Sequence, residues 1–338
     1  MSTHLFQHIQ TAHCESGVTS NLFQNAGVPL SEAMAFGIGS GLFFVYLPFA
    51  KVMGLPLTSY RSFPGGIFKK TCNRLGIPYE YRTFRDPVSG IRELDGFIMD
   101  QQAVGVRTNI YWLPYIPERF RFQFNGHNLV VFGKTAEEAY LVSDPVVDQV
   151  MVCPSRAMTK ARFAKGILAP KGLIFFPKLK DRAVTDALPL ELAIRKGIKE
   201  TVHRMLYAPL PFFGVKGIVY LSRQMRKWPT KIPKLETRKL YLANVVRMQE
   251  EIGTGGAGFR YLYAAFLQEA GELLKNPVLL EASERMTQVG NIWREFATYS
   301  AKFCKDRLDR PYTDIPDLLL EIADLEKQIY LDLRRRYL

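Results

Sequence analysis

Cys14 stands directly after His13 and heads a stretch, CESGVTSNLF, that reads as the start of a helix. A helix N-terminus lowers a thiol pKa through its partial positive charge and its N–H groups. Cys14 is therefore a candidate nucleophile, which requires a base beside it and a group that orients the base. The chain has five histidines. His4 and His8 lie in the N-terminal lead with no obvious partner. His13 adjoins Cys14 in the chain, and adjacent side chains rarely face each other. His203 falls inside an amphipathic helix. His127 remains, opening the apolar run HNLVVFG. Asp144 closes the next run, AYLVSDP. If these runs pair as neighbouring strands, Asp144 can accept a hydrogen bond from the His127 ring and orient it, the task of a triad acid.

These residues need particular elements to bring them together. Glu15 to Ala26 places Val18, Leu22, Phe23 and Ala26 near one helical face, with Gly27 as the C-terminal stop. Ser31 is suited to cap a second short helix, Glu32 to Phe36. The run GLFFVYLPFA, Gly41 to Ala50, reads as a buried strand and is too short to span a bilayer. RFRFQF, Arg119 to Phe124, alternates polar and aromatic residues with the period of a half-buried strand. KTAEE joins HNLVVFG to AYLVSDP as a hairpin. GIGSGL, Gly37 to Leu42, lacks the Lys-Ser/Thr ending of a phosphate loop and reads as close backbone packing near the cysteine helix. Trp112, Trp228 and Trp293 read as core or cleft walls.

From about residue 185 the texture changes to long amphipathic helices. Five are expected: near 188–206, 235–253, 259–274 and 277–304, then one closing the chain. GTGG, Gly253 to Gly256, is a helix–helix turn. The expected organisation is α+β, with a catalytic domain over residues 1–155 and an all-helical domain over residues 156–338.

The chain has 338 residues and a formal net charge of +13, enough length for a substantial core and enough charge to draw acidic partners. No zinc finger, aromatic RNP box or basic zipper is visible, so no nucleic-acid partner is expected. The four cysteines form no CxxC pair. Reduced thiols in a cytoplasmic protein are expected, with neither a disulfide scaffold nor a metal site. No signal-peptide pattern is visible at the N-terminus, and membrane contact is not expected. The densest basic stretch is Lys216 to Lys239, with eight Lys or Arg against one acid, Glu236.

The order Cys, His, Asp, with the cysteine on an early helix and His/Asp on a later hairpin, is that of papain-like enzymes. A Gly-His pair before an apolar strand and an Asp-Pro turn after it resemble bacteriocin-processing cysteine peptidases. The stretch HCESGVTSNLFQNAGVPLSEAMAFGIGSGLFFVY resembles more closely the opening of the butirosin biosynthesis protein H family. GHNLVVFG and SDP fit the end of that family's N-terminal domain. GTGGAGFRYLYAAFLQEAGEL looks like the helical domain that commonly follows. The resemblance covers nearly the whole chain, more specifically in its first half.

That resemblance implies a papain-like domain and an acyltransferase of secondary metabolism. It would take an acyl group from the phosphopantetheine thioester of an acyl carrier protein and deliver it to an amine or hydroxyl of a small-molecule acceptor. No bound cofactor is implied, because the phosphopantetheine belongs to the carrier. Carried over, Cys14 is the nucleophile, His127 the base and acid, and Asp144 the orienter. The amides of Cys14 and Glu15, or the side chain of Gln10, are candidate oxyanion donors. Carrier proteins are acidic, so Arg223, Arg226, Lys227, Lys231 and Lys234 are candidate docking residues. Two rivals stand: a cysteine peptidase or amidase with the same triad, and a non-catalytic scaffold with a degenerate papain-like domain.

Overall fold

The computed structural model describes residues 6–52, 54–179 and 188–338; His4 lies outside them. It is mixed in class, with antiparallel sheets and a helical C-terminal region. The chain forms two compact units, one drawn from Met1–Ala35 and Ile67–Pro189, the other from Phe36–Gly66 and Leu190–Leu338.

The first unit is built on a six-stranded antiparallel sheet. Its strands are β3 (Tyr79–Arg82), β4 (Val104–Thr108), β5 (His127–Lys134), β6 (Tyr140–Ser143), β7 (Met151–Cys153) and β8 (Ile174–Pro177), in the order β3-β8-β4-β5-β6-β7. β5 and β6 are the expected hairpin, paired Val130↔Ser143 and Val131↔Val142. Val104, Val106, Leu129, Val131 and Val142 pack with Leu94, Met158 and Ala161 from α4 (Pro87–Met99) and α5 (Ser155–Arg162). This is the alternation of a strand with one face in a core.

α1 (Cys14–Asn25) lies against β5 and α3 (Ile67–Leu75). It is buried all round from Cys14 to Phe23, not along a single face as its pattern suggested. A central helix carries polar residues at little cost where they are bonded, and those of α1 find partners apart from the Asn21 side-chain oxygen. Thr19 Oγ1 donates to the Glu15 carbonyl, Ser20 Oγ to that of Leu30 and Asn21 Nδ2 to that of Ile9. Gly27, at φ +84°, follows the helix as expected. α2 (Glu32–Ile38) begins behind Ser31, whose hydroxyl accepts from the Met34 N–H.

The expected boundary after residue 155 differs from the packing on two counts. β8 sits between β3 and β4, so the chain beyond residue 155 completes the first unit's sheet. The hairpin of β1 (Leu42–Val52) and β2 (Leu55–Arg61) belongs to the helical unit. Its Tyr60 stacks edge-on against Trp293 and its Pro56 carbonyl accepts from Asn244. GIGSGL is closely packed within this unit: a Cβ on Gly37 would strike the Phe266 ring, and Ser40 Oγ donates to the Gly197 carbonyl.

The helical unit contains α6 (Leu190–Tyr207), α7 (Gly214–Lys231), α8 (Leu235–Glu250), α9 (Arg260–Leu273), α10 (Pro277–Cys304) and α11 (Asp314–Arg336). α7 was not expected, because Gly214, Gly217 and Pro229 mask its period. At the centre, Arg260 and Glu326 form a fully buried pair, 2.8 and 3.1 Å across two nitrogen–oxygen contacts. The Trp293 indole and the Tyr330 hydroxyl also donate to Glu326. Among the described residues no helix is long and apolar enough to cross a membrane.

RFRFQF is not a strand. Its first two residues belong to a short 3-10 turn, Glu118–Phe120, and the rest runs irregularly to β5. β4 already occupies the edge of β5, and the loop is held by Asn109 and Asn125 instead. Trp228 and Trp293 are buried as expected, whereas Trp112 is 36 % exposed with Lys160 over its ring.

Candidate active site

α1 opens on Cys14 because several contacts hold the turn before it. His13 is extended (φ −126°, ψ 129°), and its ring Nδ1 accepts from the Ser16 N–H. An N-cap acceptor of this kind satisfies one donor of the first helical turn. The Glu32 carboxylate accepts from the Ala12 N–H at 3.0 Å, the His13 N–H at 2.7 Å and the Ser16 hydroxyl at 3.1 Å. Burial pushes the Glu32 carboxyl above its usual range, against the pull of those bonds. Glu15, buried, turns its side chain away to accept from the Ile67 N–H at 2.8 Å, the first residue of α3.

Gly17 brings the hairpin up to this helix. A Cβ there would lie 1.9 Å from Thr11 Oγ1 and 2.8 Å from Pro145 Cβ. The bare backbone lets the residue after Asp144 pack onto α1, and the Thr11 N–H donates to the Pro145 carbonyl at 2.8 Å.

His127 is the first residue of β5, and Asp144 follows the last residue of β6. His127 Nε2 donates to Asp144 Oδ2 at 2.7 Å, with both side chains buried. Asp144 also accepts from the Tyr115 hydroxyl at 2.9 Å and the Val146 N–H at 3.2 Å. The Cys14 sulfur bonds the same imidazole, for which Nδ1 is the remaining ring nitrogen. Burial, the largest influence, pulls the His127 pKa down. The Asp144 carboxylate and then Cys14 outweigh it and raise the group to about 10. The three residues singled out from sequence thus converge on one cluster.

Asn128 was not anticipated. It is 2 % exposed, and its Nδ2 lies 3.8 Å from Cys14 Sγ and 3.2 Å from the Gly126 carbonyl oxygen. That oxygen is 3.9 Å from the sulfur. His8 is not isolated either. Its Nε2–H donates to the Val147 carbonyl, so its Nδ1 accepts from the Ser143 hydroxyl at 2.7 Å. His203 is exposed. Gln10 is exposed on the irregular segment ahead of α1. The other cysteines have a different character: burial pushes the thiols of Cys72, Cys153 and Cys304 up.

Arg223, Arg226, Lys227 and Lys231 lie on α7 and Lys234 caps α8; all five are exposed. Arg226 is engaged by Asp317.

Two families match the chain. The family described as "Butirosin biosynthesis protein H, N-terminal" matches residues 13–145, from His13 to Pro145. The family described as "Domain of unknown function (DUF4872)" matches residues 156–333, more than half of the chain. No curated protein matches it. The chain therefore belongs to the DUF4872 family, and in front of that domain it carries the N-terminal domain of the butirosin biosynthesis protein H family.

Proposed function

We propose that this protein is a papain-like cysteine acyltransferase of secondary metabolism, acting on acyl carrier protein thioesters. The observation that carries the reading is the Cys14–His127–Asp144 line, with the sulfur at the first position of α1 and Asp144 2.7 Å behind the imidazole. The family of the N-terminal domain supports a role in biosynthesis.

In the first half-reaction Cys14 Sγ attacks the thioester carbonyl. A carbon–sulfur bond forms to Cys14, the bond to the pantetheine sulfur breaks, and that sulfur leaves with a proton from His127. In the second, an acceptor amine or hydroxyl attacks the acyl-Cys14 carbonyl while His127 takes its proton. The product leaves and Cys14 is restored. Asp144 holds the ring and favours its charged form. The helix start offers the amides of Cys14 and Glu15 for the developing oxyanion; exposed Gln10 is the weaker candidate.

The carrier's acidic surface would meet Arg223, Lys227, Lys231 and Lys234, with Arg226 partly neutralised by Asp317. The test is product formation from an acyl-loaded carrier protein and a panel of small amines and alcohols. Wild type should form an amide or ester, and Cys14→Ala and His127→Ala should not. Transfer undiminished in Cys14→Ala would refute the reading.

A further inference from the structure

The sulfur of Cys14 has a neighbour beyond the triad. Asn128 leaves β5 directly after His127, and alternation along the strand sends its side chain to the opposite sheet face. There it meets α1. Its amide nitrogen, the Gly126 carbonyl oxygen and Cys14 Sγ form a triangle with sides of 3.2, 3.8 and 3.9 Å. Chemistry fixes which way this amide points. With nitrogen and oxygen exchanged, the side-chain oxygen would face the Gly126 carbonyl oxygen with no hydrogen between them, and once Cys14 is a thiolate it would face that sulfur with none either. As placed, one N–H is occupied by Gly126 and the other is directed at the sulfur. Buried as it is, Asn128 cannot turn to water instead.

The triangle matters most when Cys14 is charged. A neutral thiol can give its hydrogen to the Gly126 carbonyl. A thiolate cannot, and the carbonyl dipole then opposes it. The Asn128 N–H is the compensating donor, clamped against rotation by the same carbonyl. Other titratable groups stand on the elements around Cys14. His127 lies on β5 with Asp144 behind it, and His13 and Glu15 flank Cys14 on its own chain. Glu32 grips the preceding turn, and Arg107 stands opposite Asn128 in the β4–β5 register. Asn128 differs from these in being a neutral donor that touches the reacting atom itself.

We infer that Asn128 is a catalytic residue of this site, an amide donor that stabilises the Cys14 thiolate. This rests on Cys14 being the nucleophile. It does not depend on which acyl donor the enzyme uses, so the test uses none. Iodoacetamide alkylation of Cys14 is followed against pH by peptide mass spectrometry in the full-length protein, in wild type, Asn128→Leu and Asn128→Asp. A hydrogen bond to a charged sulfur corresponds to about one pH unit in the midpoint of thiolate formation. Asn128→Leu, of similar shape, should move the midpoint up by about that amount, leaving roughly tenfold less thiolate below it. Asn128→Asp, closer still in shape and available should the leucine variant not fold, should move it further, because a carboxylate repels a thiolate. A midpoint unchanged in the folded variants would overturn the inference and leave Cys14 as nucleophile. A wild-type midpoint no lower than the ordinary thiol value of about 8.5 would overturn both.

Discussion

Asp144→Asn changes one atom at the buried end of the triad line. Asp144 Oδ2 accepts from His127 Nε2 and the Tyr115 hydroxyl, and Oδ1 from the Val146 N–H. Asparagine has a single acceptor oxygen. If that oxygen faces Val146, the new NH2 group faces His127 and Tyr115. The phenol can rotate to accept, but the imidazole must then carry its proton on Nδ1, toward Cys14, and can no longer take a proton there. If the oxygen faces His127, the NH2 group opposes the Val146 N–H. In both cases the charge that lifts the His127 pKa is gone. General-base catalysis of this kind is worth about 10²–10⁴ in rate, or roughly 3–5 kcal/mol of barrier. Acyl transfer should fall by that factor. The pH dependence has a definite sign. His127 is raised from 6.5 to about 10 in the fold, so its stabilising charge is fully present below about 6.5 and lost as pH rises toward 10. Denaturant titrations across that window should show the stability gap between wild type and Asp144→Asn narrowing as pH increases. An unchanged transfer rate, or a gap that widens with pH, would refute this role for Asp144.

Three further outcomes follow from the packing. Glu326→Ala strands the buried Arg260 guanidinium along with the Trp293 and Tyr330 donors; it should cost about 3–5 kcal/mol in calorimetry or denaturant unfolding. Glu32→Gln sets an NH2 group against one of the N–H donors of Ala12 and His13; it should cost about 1–3 kcal/mol and slow alkylation of Cys14. Arg223→Glu with Lys227→Glu should raise the KM for an acidic carrier protein at low salt. The effect should disappear near 1 M salt, where the screening length is about 3 Å. An unchanged KM at low salt would remove this patch as a docking face.

The site was legible where chemistry coincided with strong local pattern. The runs HNLVVFG and AYLVSDP are apolar, short and bounded by Gly126 and Pro145, so their pairing, and with it His127 against Asp144, followed from sequence. Cys14 was legible because a helix plainly begins there, although the His13 and Glu32 contacts that fix the start are tertiary. Asn128 was not, since nothing in a strand's period says which helix lies over its second face. RFRFQF misled because alternation signals a strand only where an edge is free, and β4 holds that edge. The run that forms β1 reads correctly as a strand, but local apolarity shows neither its hairpin partner β2 nor the helices beyond residue 190 that pack on the pair, as in the contact of Tyr60 with Val245 at a separation of 185. α7 was obscured by two glycines and a proline, although burial of Ile218, Leu221, Met225 and Trp228 suffices to hold it.

The most direct test is intact-protein mass spectrometry of wild type and Cys14→Ala after incubation with acyl-loaded carrier proteins. A covalent acyl-enzyme on Cys14 predicts a mass gain equal to the acyl group in wild type and none in the variant. A gain that survives in Cys14→Ala, or product formed in the same mixtures through no covalent adduct even when the acceptor is withheld and then added, would contradict it.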